Sequence, residues 1–129
     1  MDEKPVILVV DDDGPILALM RNLLKEFGFQ AVTAESGSKA LEAARNHRPA
    51  LVLLDKNMPG MPGEEIIRTL RAEPGWETLP ILILSGERMS HMQVASIGAD
   101  GAVQKPFDVM SLIEQIRAFV SGDGEKRPS

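Results

Sequence analysis

The sequence contains no cysteine. That absence excludes a disulfide scaffold, a thiol nucleophile and any Cys-ligated zinc or iron–sulfur centre. It also fits a reducing compartment. Basic charge is not in excess: 14 Lys and Arg stand against 19 Asp and Glu, for a net charge of −5. A coat for nucleic acid, which needs cations to meet phosphates, is therefore not expected. No apolar run approaches the ~20 residues of a membrane-spanning helix. Met1-Asp2-Glu3-Lys4 has neither the basic start nor the apolar stretch of a secretion signal. Internal repeats and low-complexity tracts are lacking as well. What is present is 129 residues, the length of one domain able to bury its own core. The expectation is one α/β-type domain in the cytoplasm, without direct contact to nucleic acid or membrane.

Five strand segments stand out. Val6–Val10, Leu51–Leu54 and Ile81–Leu84 are continuous apolar runs. Such runs are buried on both faces, as in the middle of a parallel sheet covered by helices. Gln30–Ala34 and Ala102–Gln104 are more polar and suit positions at or near a sheet edge. Helical patterns lie between them. Pro15–Phe27 puts Ile16, Leu17, Met20, Leu23, Leu24 and Phe27 on one face, with Gly28 just past its end. Ser36 is placed to cap a second helix reaching about Asn46, with Ala40, Leu41 and Ala44 inward. Glu64–Ala72 and Ser90–Ile97 follow, the latter closed by Gly98. Asp108 caps a fifth, with Leu112, Ile113, Ile116 and Val120 as its buried stripe. Regular alternation of strand and helix implies right-handed crossovers and a parallel sheet. Such sheets bind ligands beyond the carboxyl ends of their strands.

The residues at those ends are polar in a particular way. Asp11, Asp12 and Asp13 follow the first run, and Asp55, Lys56 and Asn57 the third. Ser85-Gly86 follows the fourth, and Lys105-Pro106 the fifth. Carboxylates held close together repel unless a cation joins them. With oxygen ligands and no nearby His or Cys, that cation is a hard one, Mg²⁺ or Mn²⁺. Such a metal keeps open positions that suit phosphate, and an ammonium and a hydroxyl beside it complete a phosphate-binding set. Asp55 closes a buried strand and suits a nucleophile toward a phosphoryl group. Taken singly, an Asp after a strand is ordinarily a turn residue and a Lys a solvated one. The weight lies in all four ends agreeing. His47 and His91 are read as surface residues, Met89 and Met92 as a helix edge, and Trp76 as local packing.

In order and spacing the chain resembles the receiver domain of two-component response regulators, the CheY-like family. The motifs are Ile7-Leu8-Val9-Val10-Asp11-Asp12-Asp13, Leu54-Asp55-Lys56-Asn57-Met58-Pro59-Gly60-Met61-Pro62-Gly63, Leu82-Ile83-Leu84-Ser85-Gly86 and Lys105-Pro106-Phe107. The resemblance covers about residues 5–120. It implies a doubly wound, flavodoxin-like (βα)5 fold with a five-stranded parallel sheet in the order 2-1-3-4-5. It also implies that Asp55 takes a phosphoryl group from a histidine kinase or histidine phosphotransferase in a Mg²⁺-dependent reaction. The metal would be held by Asp12 and Asp55, by the backbone carbonyl of Asn57, and by Asp11 through water. Ser85 and Lys105 would meet the phosphoryl oxygens, and the Lys105–Pro106 bond would be cis. Beyond slow self-phosphorylation and self-dephosphorylation, no enzyme activity is implied. The two positions that tune dephosphorylation in this family are Asn57 and Glu87, the pair of the chemotaxis regulator. Self-dephosphorylation is therefore expected to be quick.

Three positions depart from the family. The switch aromatic of the fifth strand is replaced by Ala102. Pro62 stiffens the loop after Asp55, and Lys56 puts a cation directly beside it. The face made by the fourth helix, fifth strand and fifth helix is the expected route to a partner or output domain. Ser111 and Gln115 stand where the winged-helix class carries its dimer charges, so a monomer or weak dimer is expected. Residues 1–121 are read as the receiver, and 122–129 as a polar tail or truncated linker too short for an output domain. Two rival readings conflict with the residues at these strand ends. A phosphatase or phosphotransferase built on an aspartyl-phosphate needs a second acid two residues after its nucleophile, where Asn57 stands. A flavin-binding protein of the same fold needs a phosphate cradle where three aspartates stand.

Overall fold

The computed structural model describes residues 4–58 and 60–121. Pro59 of the Asp55 motif and the tail 122–129 lie outside the described residues. The elements follow in strict alternation: β1 (Val6–Val10), α1 (Gly14–Glu26), β2 (Gln30–Ala34), α2 (Gly37–His47), β3 (Leu51–Asp55), α3 (Gly63–Arg71), β4 (Ile81–Ser85), α4 (His91–Ser96), β5 (Gly101–Gln104) and α5 (Val109–Val120). All strand pairs are parallel, in the order β2-β1-β3-β4-β5. The continuous apolar runs are the three central strands, and the two polar ones are the edges.

Alternation along each strand divides the core. Ile7, Val9, Leu51, Leu53, Leu82 and Leu84 face one side, where α1 and α5 cover them with Leu17, Met20, Leu24, Leu112, Ile113 and Ile116. Leu8, Val10, Val52, Leu54, Ile81 and Ile83 face the other, under α2 and α3 with Ala40, Ala44, Ile66, Ile67 and Leu70. A strand so placed has no wet face, which is why its sequence does not alternate.

The helix ends follow local chemistry. Asp13, Ser36, Ser90 and Asp108 cap α1, α2, α4 and α5 through side-chain oxygens that accept a backbone N–H. Gly28 and Gly98 turn the chain at φ of +93° and +85°, a region open to glycine. Some expectations shift. Asp55 and Ser85 are the last residues of β3 and β4 and not the first after them, because both still take part in the ladder opposite Leu84 and Gln104. Helix α4 is only six residues long, since Ser90 is its cap and Ile97 closes it. Met89 precedes that helix and does not lie on it. Leu41 and Val120 are half-buried, less inward than their helical phase alone suggests.

Candidate functional site

The parallel sheet delivers the carboxyl ends of β1, β3, β4 and β5 to one edge. Asp11 leaves β1 almost wholly buried, at 1% exposure. Its backbone N–H donates to Ala34 O at 3.1 Å. Its Oδ1 accepts the Asp13 N–H at 3.0 Å. Asp13 itself turns away to cap α1, accepting from Ile16 N, so it is not part of the cluster. Asp12 is exposed beside them. Asp55, 8% exposed, comes up from β3 between them and β4. One carboxylate oxygen from each of Asp11, Asp12 and Asp55 can be chosen so that all lie within 4.8 Å of one another.

Lys105 reaches this cluster from the end of β5. Its Nζ donates to Asp55 Oδ1 at 3.4 Å and stands 3.8 Å from Asp11 Oδ2. The Lys105–Pro106 bond is cis, as expected, and Lys105 N donates to Ser85 O at 2.7 Å, which ties the end of β5 to that of β4. Asp55 Oδ1 also accepts the Asn57 N–H at 3.5 Å.

The balance of charge is unfinished. Burial pushes the Asp11 carboxyl above the ordinary range. The Asp13 N–H and Lys105 oppose that rise, while the charges of Asp55 and Asp12 add to it. Asp11 Oδ2 is buried and accepts no hydrogen bond among the described residues. A buried carboxylate oxygen without a hydrogen bond is costly, and the Lys105 ammonium at 3.8 Å is beyond hydrogen-bond distance, which leaves room for a further positive charge to complete it. The donor set is all oxygen and hard, so the residues present fit Mg²⁺ or Mn²⁺.

The other expected residues are placed as follows. Ser85 is 1% exposed at the end of β4. Its hydroxyl is turned to its own loop, donating to Glu87 O at 2.7 Å and accepting from Glu87 N at 3.0 Å. Asn57 and Glu87 are exposed, and Lys56 is half-buried. Ala102 lies on β5 opposite Ile83 and packs on the α2–α3 side of the core. His47, His91 and Met92 are exposed, and Trp76 packs half-buried on that same side of the core. Ser111 takes part in capping α5, its hydroxyl donating to Asp108 Oδ2 at 2.9 Å.

Two features had no signal in the sequence. One is the reciprocal bonding of Ser85 with Glu87. The other is Arg71, which reads as one more basic residue at a helix end. In the fold its guanidinium joins the loop after α3 to the loop before β5.

Comparison with known proteins gives a consistent picture. The family model for the response regulator receiver domain matches residues 7–117. The chain is 38% identical over 117 residues to the transcriptional regulatory protein KdpE of Mycobacterium tuberculosis, covering 89% of this chain and 50% of that protein. It is 40% identical over 114 residues to the DNA-binding response regulator MtrA of Mycolicibacterium smegmatis, covering 87% and 49%. The chain thus spans about half the length of the curated relatives it matches. Among solved structures, the chemotaxis response regulator CheY4 of Vibrio cholerae superposes with a TM-score of 0.83 at 28% identity, over 91% of this chain and 99% of that one.

Proposed function

The chain belongs to the response regulator receiver family of two-component systems, and on that footing we propose that Asp55 accepts a phosphoryl group from a histidine kinase or histidine phosphotransferase. The observation that carries this reading is the meeting of Asp11, Asp12 and Asp55 within 4.8 Å, with Lys105 Nζ beside two of them. Phosphoryl transfer needs positioning and charge neutralisation more than covalent help. The ladder of β3 and the Lys105 ammonium hold the Asp55 carboxylate in place. A carboxylate oxygen of Asp55 attacks phosphorus as the P–N bond to the donor imidazole breaks. The imidazole leaves and takes a proton from water. The carboxylate becomes an acyl phosphate, and Lys105 pairs with its oxygens.

Asp12, Asp55, the Asn57 carbonyl and, through water, Asp11 would hold Mg²⁺ or Mn²⁺. Bound there, the ion supplies positive charge to the phosphoryl oxygens through the transfer. In the transferred state Ser85 turns to a phosphoryl oxygen. The domain comprises residues 1–121 and works in the cytoplasm as a switch, with slow self-phosphorylation from small donors and self-dephosphorylation as its only further chemistry. Its signal passes through the α4–β5–α5 face to a partner or output domain, as a monomer or weak dimer. Asn57 and Glu87 make the phosphorylated state short-lived.

The test is direct. Incubation with Mg²⁺ and acetyl phosphate should add one phosphoryl group to the intact mass, and Asp55→Asn should remove the addition. Absence of any adduct with acetyl phosphate and with a phosphorylated histidine donor would overturn the reading.

A further inference from the structure

The β5 edge of the molecule carries a cavity of about 1060 Å³ between α4 and β5. Met89, Val94, Ala95, Gly101 and Ala102 line its apolar part. Its strand wall is low because both β5 residues there are small. A Cβ at Gly101 would lie 2.9 Å from Leu82 Cδ2, so a larger residue there would require that side chain to shift. No aromatic ring lines the cavity among the described residues. The long apolar side chain on its rim is Met89. It is half-buried, packs on the same side of the core as Ala102 and Ile97, and is unbranched and conformationally adaptable.

Met89 also sits on a short tether from the phosphorylation site. The chain between Ser85 and α4 is pinned at two points. At one, the Ser85 hydroxyl both donates to and accepts from the Glu87 backbone. At the other, Ser90 and Gln93 form a reciprocal cap that fixes the start of α4. Met89 lies between the two pins. A serine hydroxyl has one proton to donate. It therefore cannot serve Glu87 O and a phosphoryl oxygen together, and the charged acceptor makes the stronger bond.

Resting on the phosphoacceptor reading of Asp55, we propose that Met89 is the moving part of the switch. When Ser85 turns to phosphorylated Asp55, its bond to Glu87 O is lost and the first pin opens. The loop over Gly86–Arg88 is released, and the Met89 side chain withdraws into the cavity over Ala102. The outer surface of α4 and β5 changes shape without any ring having to swing inward. Both arrangements belong to one equilibrium, which phosphorylation biases.

Methyl-labelled methionine reports this by NMR, with Met89→Leu assigning one of seven methionine signals. Mg²⁺ and acetyl phosphate should shift the Met89 methyl in step with the gain of one phosphoryl group by intact mass. Ala102→Leu places a branched side chain on the strand wall where Met89 would lodge, and should gain the phosphoryl group while its Met89 signal stays in place. Ser85→Ala, compared at equal phosphorylated fraction, should lose the shift. A phosphorylated wild-type chain with an unmoved Met89 signal would overturn the inference and leave the phosphoacceptor reading intact. So would an equal shift in Ser85→Ala or Ala102→Leu. Failure of the wild-type chain to gain mass would overturn both.

Discussion

Replacing Arg71 with Ala should destabilise the fold far more than loss of a surface ion pair. Arg71 ends α3 with a side chain only 21% exposed. Its Nη1 donates to Leu79 O at 2.5 Å, Trp76 O at 3.2 Å and Glu77 O at 3.3 Å. Its Nη2 donates to Gly98 O at 3.0 Å and to Asp100 Oδ2 at 2.9 Å, and its Nε also reaches Gly98 O. Asp100 Oδ2 in turn accepts Ile81 N at 2.9 Å, at the first residue of β4. Three of the guanidinium bonds, to Trp76 O, Leu79 O and Asp100, lie in partly buried surroundings. At about 1 kcal/mol for each neutral acceptor and about 1.5–3 for the charged one, Arg71→Ala should cost roughly 3–5 kcal/mol. The remaining bonds are exposed, and water replaces them. At about 4 °C per kcal/mol for a domain of this size, the midpoint of thermal unfolding should fall by roughly 12–20 °C. Arg71→Lys keeps a charge for Asp100 but has no planar fork to bridge the carbonyls, so it should recover only a minor part. Urea and thermal unfolding of the three proteins measure this. A loss for Arg71→Ala within the ~1 kcal/mol of an exposed pair would refute the reasoning.

Other outcomes follow from the acidic cluster. Asp11→Asn should stabilise the metal-free protein and abolish its stabilisation by Mg²⁺, as read by thermal unfolding with and without the ion. The sign follows from the raised carboxyl: folded Asp11 holds its proton more tightly than the unfolded chain does. Wild-type stability therefore falls as pH rises above the ordinary value of 3.8, through the raised one. The advantage of Asp11→Asn should be small well below that window and full above it; a constant advantage at every pH would contradict this origin. With Asn57 and Glu87 in place, the phosphorylated mass should decay quickly once donor is removed in Mg²⁺. A phosphorylated form persisting for many hours would show that this pair does not set the lifetime.

Much of this molecule is legible residue by residue. The runs at Val6, Leu51 and Ile81 announce buried strands because each alternate side chain meets a different helical layer. Ser36 and Asp108 announce helix starts because a cap needs only a neighbour three residues on. The strand-end polar residues could be named for the same reason, as each lies where a local run stops. Asp13 shows the limit of such reading. It stands beside Asp11 and Asp12 in the sequence, yet it serves α1. The loss of the ring at Ala102 is plain in the sequence, whereas the cavity beside it and the lean of Met89 are not.

The sequence by itself determined the order of strands and helices, the buried character of the central strands and the chemistry held at their ends. These depend on periodicity and capping, which act over a few residues. The strand order came with the resemblance to a family and not from the residues alone. Only the tertiary structure decided which of those ends meet. Lys105 and Asp55 are 50 positions apart, and successive parallel crossovers bring them to 3.4 Å. The same convergence leaves Asp11 Oδ2 buried without a hydrogen bond among the described residues, turns the Ser85 hydroxyl to Glu87 and gathers distant carbonyls around Arg71. Each of these depends on burial and direction, which arise only when separate layers close on one another.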